Sequence, residues 1–187
     1  MNKIDIRNLS GMFLIAAPSL RDPNFEHTVV LICDHNQDGA FGLVVNRLLL
    51  HSFAPLKAGL EITESTTDLP VFYGGPVKPE QGYILYPSHA DLYSPSLKIS
   101  DDLSLTTSRD ILADIAMGKW PQKFLFTLGF SGWAPGQLEA EMMTDSWLIA
   151  PSHNGIIFDM PVSERWKAAA HLIGVDLTRV SSRQGSA

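Results

Sequence analysis

KFLFTLGFSGWAPGQLEAE, spanning Lys123 to Glu141, constrains the fold more than any other stretch, because an apolar run enters a glycine-bearing turn and leaves as a helix. Phe124, Leu125, Phe126 and Leu128 read as a buried strand. Gly129 and Gly132 permit backbone angles closed to other residues, and Pro135 suits the first turn of a helix. Active-site and anion-site corners are often built this way, so function is expected near this turn.

At 187 residues the chain fits one domain, expected over 1–187 with about 1–10 and 181–187 as flexible ends. A chain of this size buries roughly 70% of the surface exposed when unfolded, so it needs no covalent staples. Its 45% apolar and 18% charged content describe an ordinary globule. Twenty acidic against fourteen basic residues give a net charge of −6. That field opposes phosphate backbones, and direct DNA binding is disfavoured. Cys33 is alone, which rules out an intrachain disulfide and a cysteine metal cluster and suits the reducing cytoplasm. Within VVLICD it reads as a small hydrophobe in a buried strand, with a reactive thiol as the alternative. Lys3 and Arg7 before GMFLIAAPS loosely imitate a signal peptide, but Asp5 and the short apolar run argue against secretion. No run approaches the roughly 18 apolar residues of a membrane helix, so no membrane association is expected.

Short apolar runs broken by Gly and Pro predict strands at 12–17, 28–33, 41–45, 71–73, 83–86, 123–128, 147–150 and 156–158. The loop DHNQDGA after Cys33 is too short for a crossover helix and implies an antiparallel hairpin. Ser108 can cap a helix running through Ile111, Leu112, Ile115 and Ala116 to Gly118, with Asp110 in its first turn. A second helix follows Pro161, with Val162, Trp166, Ala169, Ala170 and Ile173 at helical spacing before Gly174. With the helix after Pro135, these elements predict an α+β fold: one domain with a largely antiparallel, β-rich body and flanking helices. FLIAAPS at 13–19 echoes WLIAPS at 147–152, which two core strands ending at proline explain without a duplication.

FLIAAPSLRDPNFEHTVVLICDHNQDGAFGLVVNR, then FYGGPV, LTTSRDIL and LGFSGWAPGQLEAE, followed by Trp147, together resemble the YqgE/AlgH family, also called UPF0301 or DUF179. The resemblance runs from about Gly11 to Gly174. It implies a bacterial cytoplasmic protein with a mixed α/β fold. One branch of the family is associated with regulation of alginate production and is labelled a transcriptional regulator. The label brings no catalytic residues with it.

GFSGW invites comparison with the GxSxG nucleophile elbow, but Trp133 stands where the second glycine belongs. The family commonly reads Gly-Tyr-Ala-Gly-Trp, so Phe130 and Ser131 depart from it, and an alanine cannot serve as a nucleophile. A binding ledge is the better functional reading: Gly129 and Gly132 shape the turn, Trp133 forms a wall, free amides start the helix, and Gln137 and Glu139 supply polar contacts. Its structural alternative has Trp133 in the core and Gln137 with Glu141 on a solvated face. Gly74, Gly75 and Pro76 in FYGGPV form another tight turn open to a ligand or required by the fold. Thr107, Ser108, Arg109 and Asp110 could hold an oxyanion or simply cap a helix. His35, Asn46 and Arg47 make up a candidate polar cluster, near which Asp22 forms a turn before Pro23. His27 and His35 lack the spacing of a zinc enzyme, His89, His153 and His171 add nothing sharper, and neither a metal nor a cofactor is expected.

Two functional expectations follow. The first is a noncatalytic regulatory or binding protein acting through a small anionic ligand or a protein partner, with any effect on transcription indirect, since no helix-turn-helix follows Gly118. The second is an enzyme acting on a small anionic or acyl substrate in a pocket formed by the glycine turns at 74–76 and 129–136. Oligomeric state is not legible in the sequence.

Overall fold

A computed structural model describes residues 6, 8–49, 69–88, 93–119 and 121–177. Among them nine strands form one sheet: β1 (Met12–Ala16), β2 (Val29–Asn36), β3 (Gly39–Val44), β4 (Val71–Tyr73), β5 (Val77–Pro87), β6 (Ser96–Lys98), β7 (Leu103–Thr106), β8 (Leu125–Trp133) and β9 (Trp147–Pro151). Three short helices flank it, α1 (Asp110–Ala116), α2 (Gln137–Met142) and α3 (Arg165–His171). The strand order is β6-β7-β5-β8-β3-β2-β1-β9, all antiparallel, while β4 adds to β8 in parallel. The α+β class and the largely antiparallel body hold.

The run VVLIC explains how this sheet is filled. Val29, Leu31 and Cys33 enter one apolar cluster and Val30 and Ile32 another, so β2 is buried on both faces, which is why it reads as continuous rather than alternating hydrophobicity. The first cluster gathers Phe13, Leu43, Leu85, Leu105 and Leu125 from five strands spread across the order, which requires the sheet to curl around it. Ala169 and Ala170 of α3 and Ile156 and Ile157 help to fill this interior. Leu138 of α2 with Leu20 and Phe25 of the 17–28 loop cover part of the outer face, and Ile111 and Leu112 of α1 cover another part.

The hairpin expected after Cys33 is β2–β3, in register from Val30↔Val44 to Asn36↔Gly39. The echoing segments are neighbours: β1 and β9 pair antiparallel from Met12↔Pro151 to Ala16↔Trp147, so the similarity follows from two core strands occupying equivalent places. Four details differ from the sequence reading. The strand expected to end at Leu128 continues through the glycines to Trp133, because its first half pairs with β4 and β5 and its second half with β3. Residues 156–158 form a π-helical turn, Gly155–Asp159, rather than a strand. Strands β6 and β7 were not expected, since SLK and LSLT are too short for a periodicity signal. Leu9 lies in the stretch expected to be loose but is fully buried, with its amide donating to His35 Nδ1 at 3.1 Å. Residues 181–187 and His89 lie outside the described residues.

Candidate functional site

The two glycine turns do meet, and they meet on each other. A Cβ on Gly74 would stand 2.2 Å from the Gly129 carbonyl oxygen, and one on Gly129, whose φ is +72°, would stand 2.4 Å from the Gly75 carbonyl oxygen. Backbone fills the space between them, with Pro76 exposed beside it. Ser131 is completely buried and its hydroxyl donates to the Gly74 carbonyl at 3.1 Å, so it faces its own backbone. Gly132 is exposed on β8 opposite Phe41.

Beyond the corner, Trp133 is buried rather than forming an open wall. Its indole N–H and that of Trp147 both donate to Glu141 Oε2, at 3.0 and 2.9 Å, and Gln137 Nε2 donates to Glu141 Oε1 at 2.9 Å. Gln137 Oε1 in turn accepts from the Ala134 amide at 3.0 Å, so a side chain already occupies that donor of the helix start. Phe25 stacks on Trp133 and meets Trp147 edge-on, tying the 17–28 loop to the same knot. Glu139 lies 3.1 Å from Nε2 of His35. Because Nδ1 accepts from Leu9, neutral His35 must carry its proton on Nε2 and donate it to Glu139.

His35, Asn46 and Arg47 do not form one cluster. Asn46 bonds Val29 N and the His27 carbonyl at the start of β2, while His35 pairs with Ala40 near its end. Six residues of extended chain separate those points by about 20 Å. Arg47 instead donates to the carbonyls of Pro23, Asn24 and Glu26, each at 2.9 Å, and lies over the Tyr73 ring, holding the loop down. Asp22 accepts from Asn24 N at 2.8 Å, the expected turn. His27 is an exposed ring against Trp166, His153 accepts from Gly155 N, and His171 is exposed at the end of α3. Cys33 is buried, and burial pushes its thiol pKa far up.

Ser108 Oγ accepts from Asp110 N at 3.2 Å and its own amide donates to Thr106 Oγ1, but the helix begins one residue later than expected: Arg109 holds the N-cap position, without a side-chain cap bond. Arg109 is exposed and its guanidinium has no partner among the described residues. Two residues before it, Thr107 lines a groove of about 240 Å3 walled by Phe41, Tyr83, Pro95, Leu97 and Leu105. Phe41, Tyr83 and Phe130 form an aromatic trio there, with ring centres 5.1 to 6.0 Å apart. The hydroxyls of Tyr83 and Thr107 have no hydrogen-bond partner among the described residues, and burial raises the pKa of Tyr83. A second hollow, of about 260 Å3, lies under the end of α1 beside Leu69 and Phe124, where Lys119 is already paired with Asp114. The groove therefore brings Thr106 and Thr107 of the TTSRD segment, but not Ser108 or Arg109, together with Phe41 of the strand facing Gly132. It also recruits Phe41, Tyr83 and Leu97, none of which the sequence singles out as a site residue.

The family model described as AlgH-like, DUF179, matches residues 13–178. The chain belongs to the AlgH-like family. A UPF0301 protein of Methylococcus capsulatus is 47% identical over 180 residues, covering 95% of each chain, and one of Pseudoalteromonas translucida is 42% identical over 187 residues, covering 97% of this chain and all of the relative. The solution structure of the AlgH protein from Pseudomonas aeruginosa is similar over the whole of both chains, with a TM-score of 0.79 at 38% identity. A crystal structure of protein DIP2367 from Corynebacterium diphtheriae covers 97% of this chain and 94% of its own, with a TM-score of 0.76 at 19% identity, a likeness of fold alone. Among the described residues of this AlgH-like chain, no helix is long and apolar enough to cross a membrane.

Proposed function

We propose that this AlgH-like chain is a noncatalytic binding protein whose groove takes a small ligand with a flat apolar body and an anionic end. One observation carries the reading: the groove sets the rings of Phe41 and Tyr83 beside two unpartnered hydroxyls, one of them on Thr107, two residues before the unpaired Arg109. The apolar body would lie against Phe41, Tyr83 and Leu97, and the charge would meet Arg109 and the Thr107 hydroxyl. Regulation through the liganded state, in the cytoplasm and without direct contact with DNA, suits the net charge of −6. The enzyme alternative draws less support, because Ser131 and Cys33 are both buried and Ser131 is bonded to backbone.

Calorimetric titration with phenylacetate, and with benzyl alcohol as its uncharged counterpart, tests this reading. Phenylacetate is expected to bind the wild type, Arg109→Ala to weaken it about tenfold, and Tyr83→Ala to remove most of the binding. Equal affinity for the two compounds, or binding untouched by Tyr83→Ala, refutes it. A gel shift at physiological salt showing tight, sequence-dependent duplex binding would overturn the indirect form of regulation.

A further inference from the structure

Arg165 opens α3 yet is only 5% exposed, an unusual place for a charge that cannot be neutralised. Its Nε donates to the Met160 carbonyl at 3.0 Å and its Nη1 to the Val45 carbonyl at 2.5 Å, while the guanidinium plane lies 5.3 Å from the Phe72 ring centre. No carboxylate among the described residues lies within ion-pair distance, and burial alone draws its pKa down. Buried arginines ordinarily face a carboxylate, because desolvating the cation is costly unless an anion compensates it.

The donor count shows what is missing. A guanidinium has five N–H bonds in a planar fork, and two are committed to carbonyls. One N–H of Nη1 and both of Nη2 have no partner among the described residues. Each edge of a guanidinium that includes Nη2 presents two parallel N–H bonds, the spacing that accepts two oxygens of one planar or tetrahedral oxyanion, and both N–H bonds of Nη2 are open among the described residues. The two carbonyls and the aromatic face fix the fork in advance, so little side-chain freedom is lost when an anion arrives.

We infer that the open edge of the Arg165 guanidinium is a binding site for a small oxyanion, a carboxylate or a phosphate, distinct from the groove whose cation is Arg109. The anion supplies a countercharge that no carboxylate among the described residues provides. Its binding ties α3 to the end of β3 and to β4, through the elements that hold the guanidinium.

Thermal unfolding in sodium phosphate and in sodium acetate, against sodium chloride at equal ionic strength, provides the test. Saturable stabilisation of the wild type is expected, with Tm rising about 5–10 °C at a hundredfold excess over Kd. Arg109→Ala should keep this response and Arg165→Met should lose it. Acetate and phosphate compared at equal concentration distinguish the two oxyanion classes. If Arg165→Met does not fold, the Nε–H signal of Arg165 in wild-type NMR spectra replaces it, and a saturable shift of that signal by either anion is expected. No response beyond that of chloride, a response preserved in Arg165→Met, or an unmoved Arg165 signal overturns the inference. Loss in Arg109→Ala alone assigns the anion to the groove and likewise overturns it.

Discussion

Replacing Glu141 by alanine tests how the outer layer is held. One carboxylate oxygen accepts both buried indole N–H groups and the other accepts from Gln137. Truncation strands two indole donors, Trp133 and Trp147, that are only 5% and 6% exposed. A buried donor left unpaired costs about 1–3 kcal/mol. Glu141 itself is half-buried, so water can follow into part of the vacated space, and the lower end applies. The sum is about 2–3 kcal/mol, or a fall in Tm of about 5–10 °C for a chain of this length. Glu141→Gln keeps one acceptor oxygen while losing the charge, and is expected to cost about 1 kcal/mol. Thermal unfolding by circular dichroism reads the stability, and the two indole N–H resonances report the bonds. If Glu141→Ala unfolds within about 1 °C of wild type with both resonances unmoved, the clamp contributes nothing and the reasoning fails.

Gly74→Ala puts a methyl 2.2 Å from the Gly129 carbonyl oxygen, and neither backbone can retreat without breaking the sheet, so a loss of at least about 3 kcal/mol is expected in urea unfolding. Arg47→Lys keeps the charge but cannot bond three carbonyls from a rigid fork, so amide exchange across residues 24–28 should accelerate about tenfold while the core strands stay protected. Burial first, then the hydrogen bond and charge of Asp114, push the Tyr93 pKa up to about 12. An unfolded tyrosine ionises near pH 10, so this contribution to stability is whole below about pH 10 and is lost as pH rises through about 12. Absorbance titration at alkaline pH should show this late ionisation, and Asp114→Asn should move it earlier.

Much of the architecture was legible because it depends on local chemistry. VVLIC marked a buried strand, DHNQDGA a hairpin and Pro161 the approach to a helix. Other features resisted for physical reasons. GFSGW read as a turn because glycine permits one, yet hydrogen bonds from β3 keep it extended to Trp133. GIIF has the composition of a strand, but Gly155–Asp159 has no strand partner and winds into a helical turn. The proposed site was only half visible: TTSRD stood out, whereas Phe41, Tyr83 and Leu97 lie on three strands far apart in the chain.

The sequence alone determined which residues leave water and where the backbone can bend, since apolar spacing, proline and glycine act within a few residues of themselves. Tertiary structure alone decided which of those bends stay open. Curling the sheet sealed Gly74 and Gly75 against Gly129, gathered two indoles on Glu141, and left Arg165 inside with three of its five N–H bonds unmatched among the described residues. Each of these outcomes depends on strand order and register, which bring together groups separated by tens of residues and which no local pattern encodes.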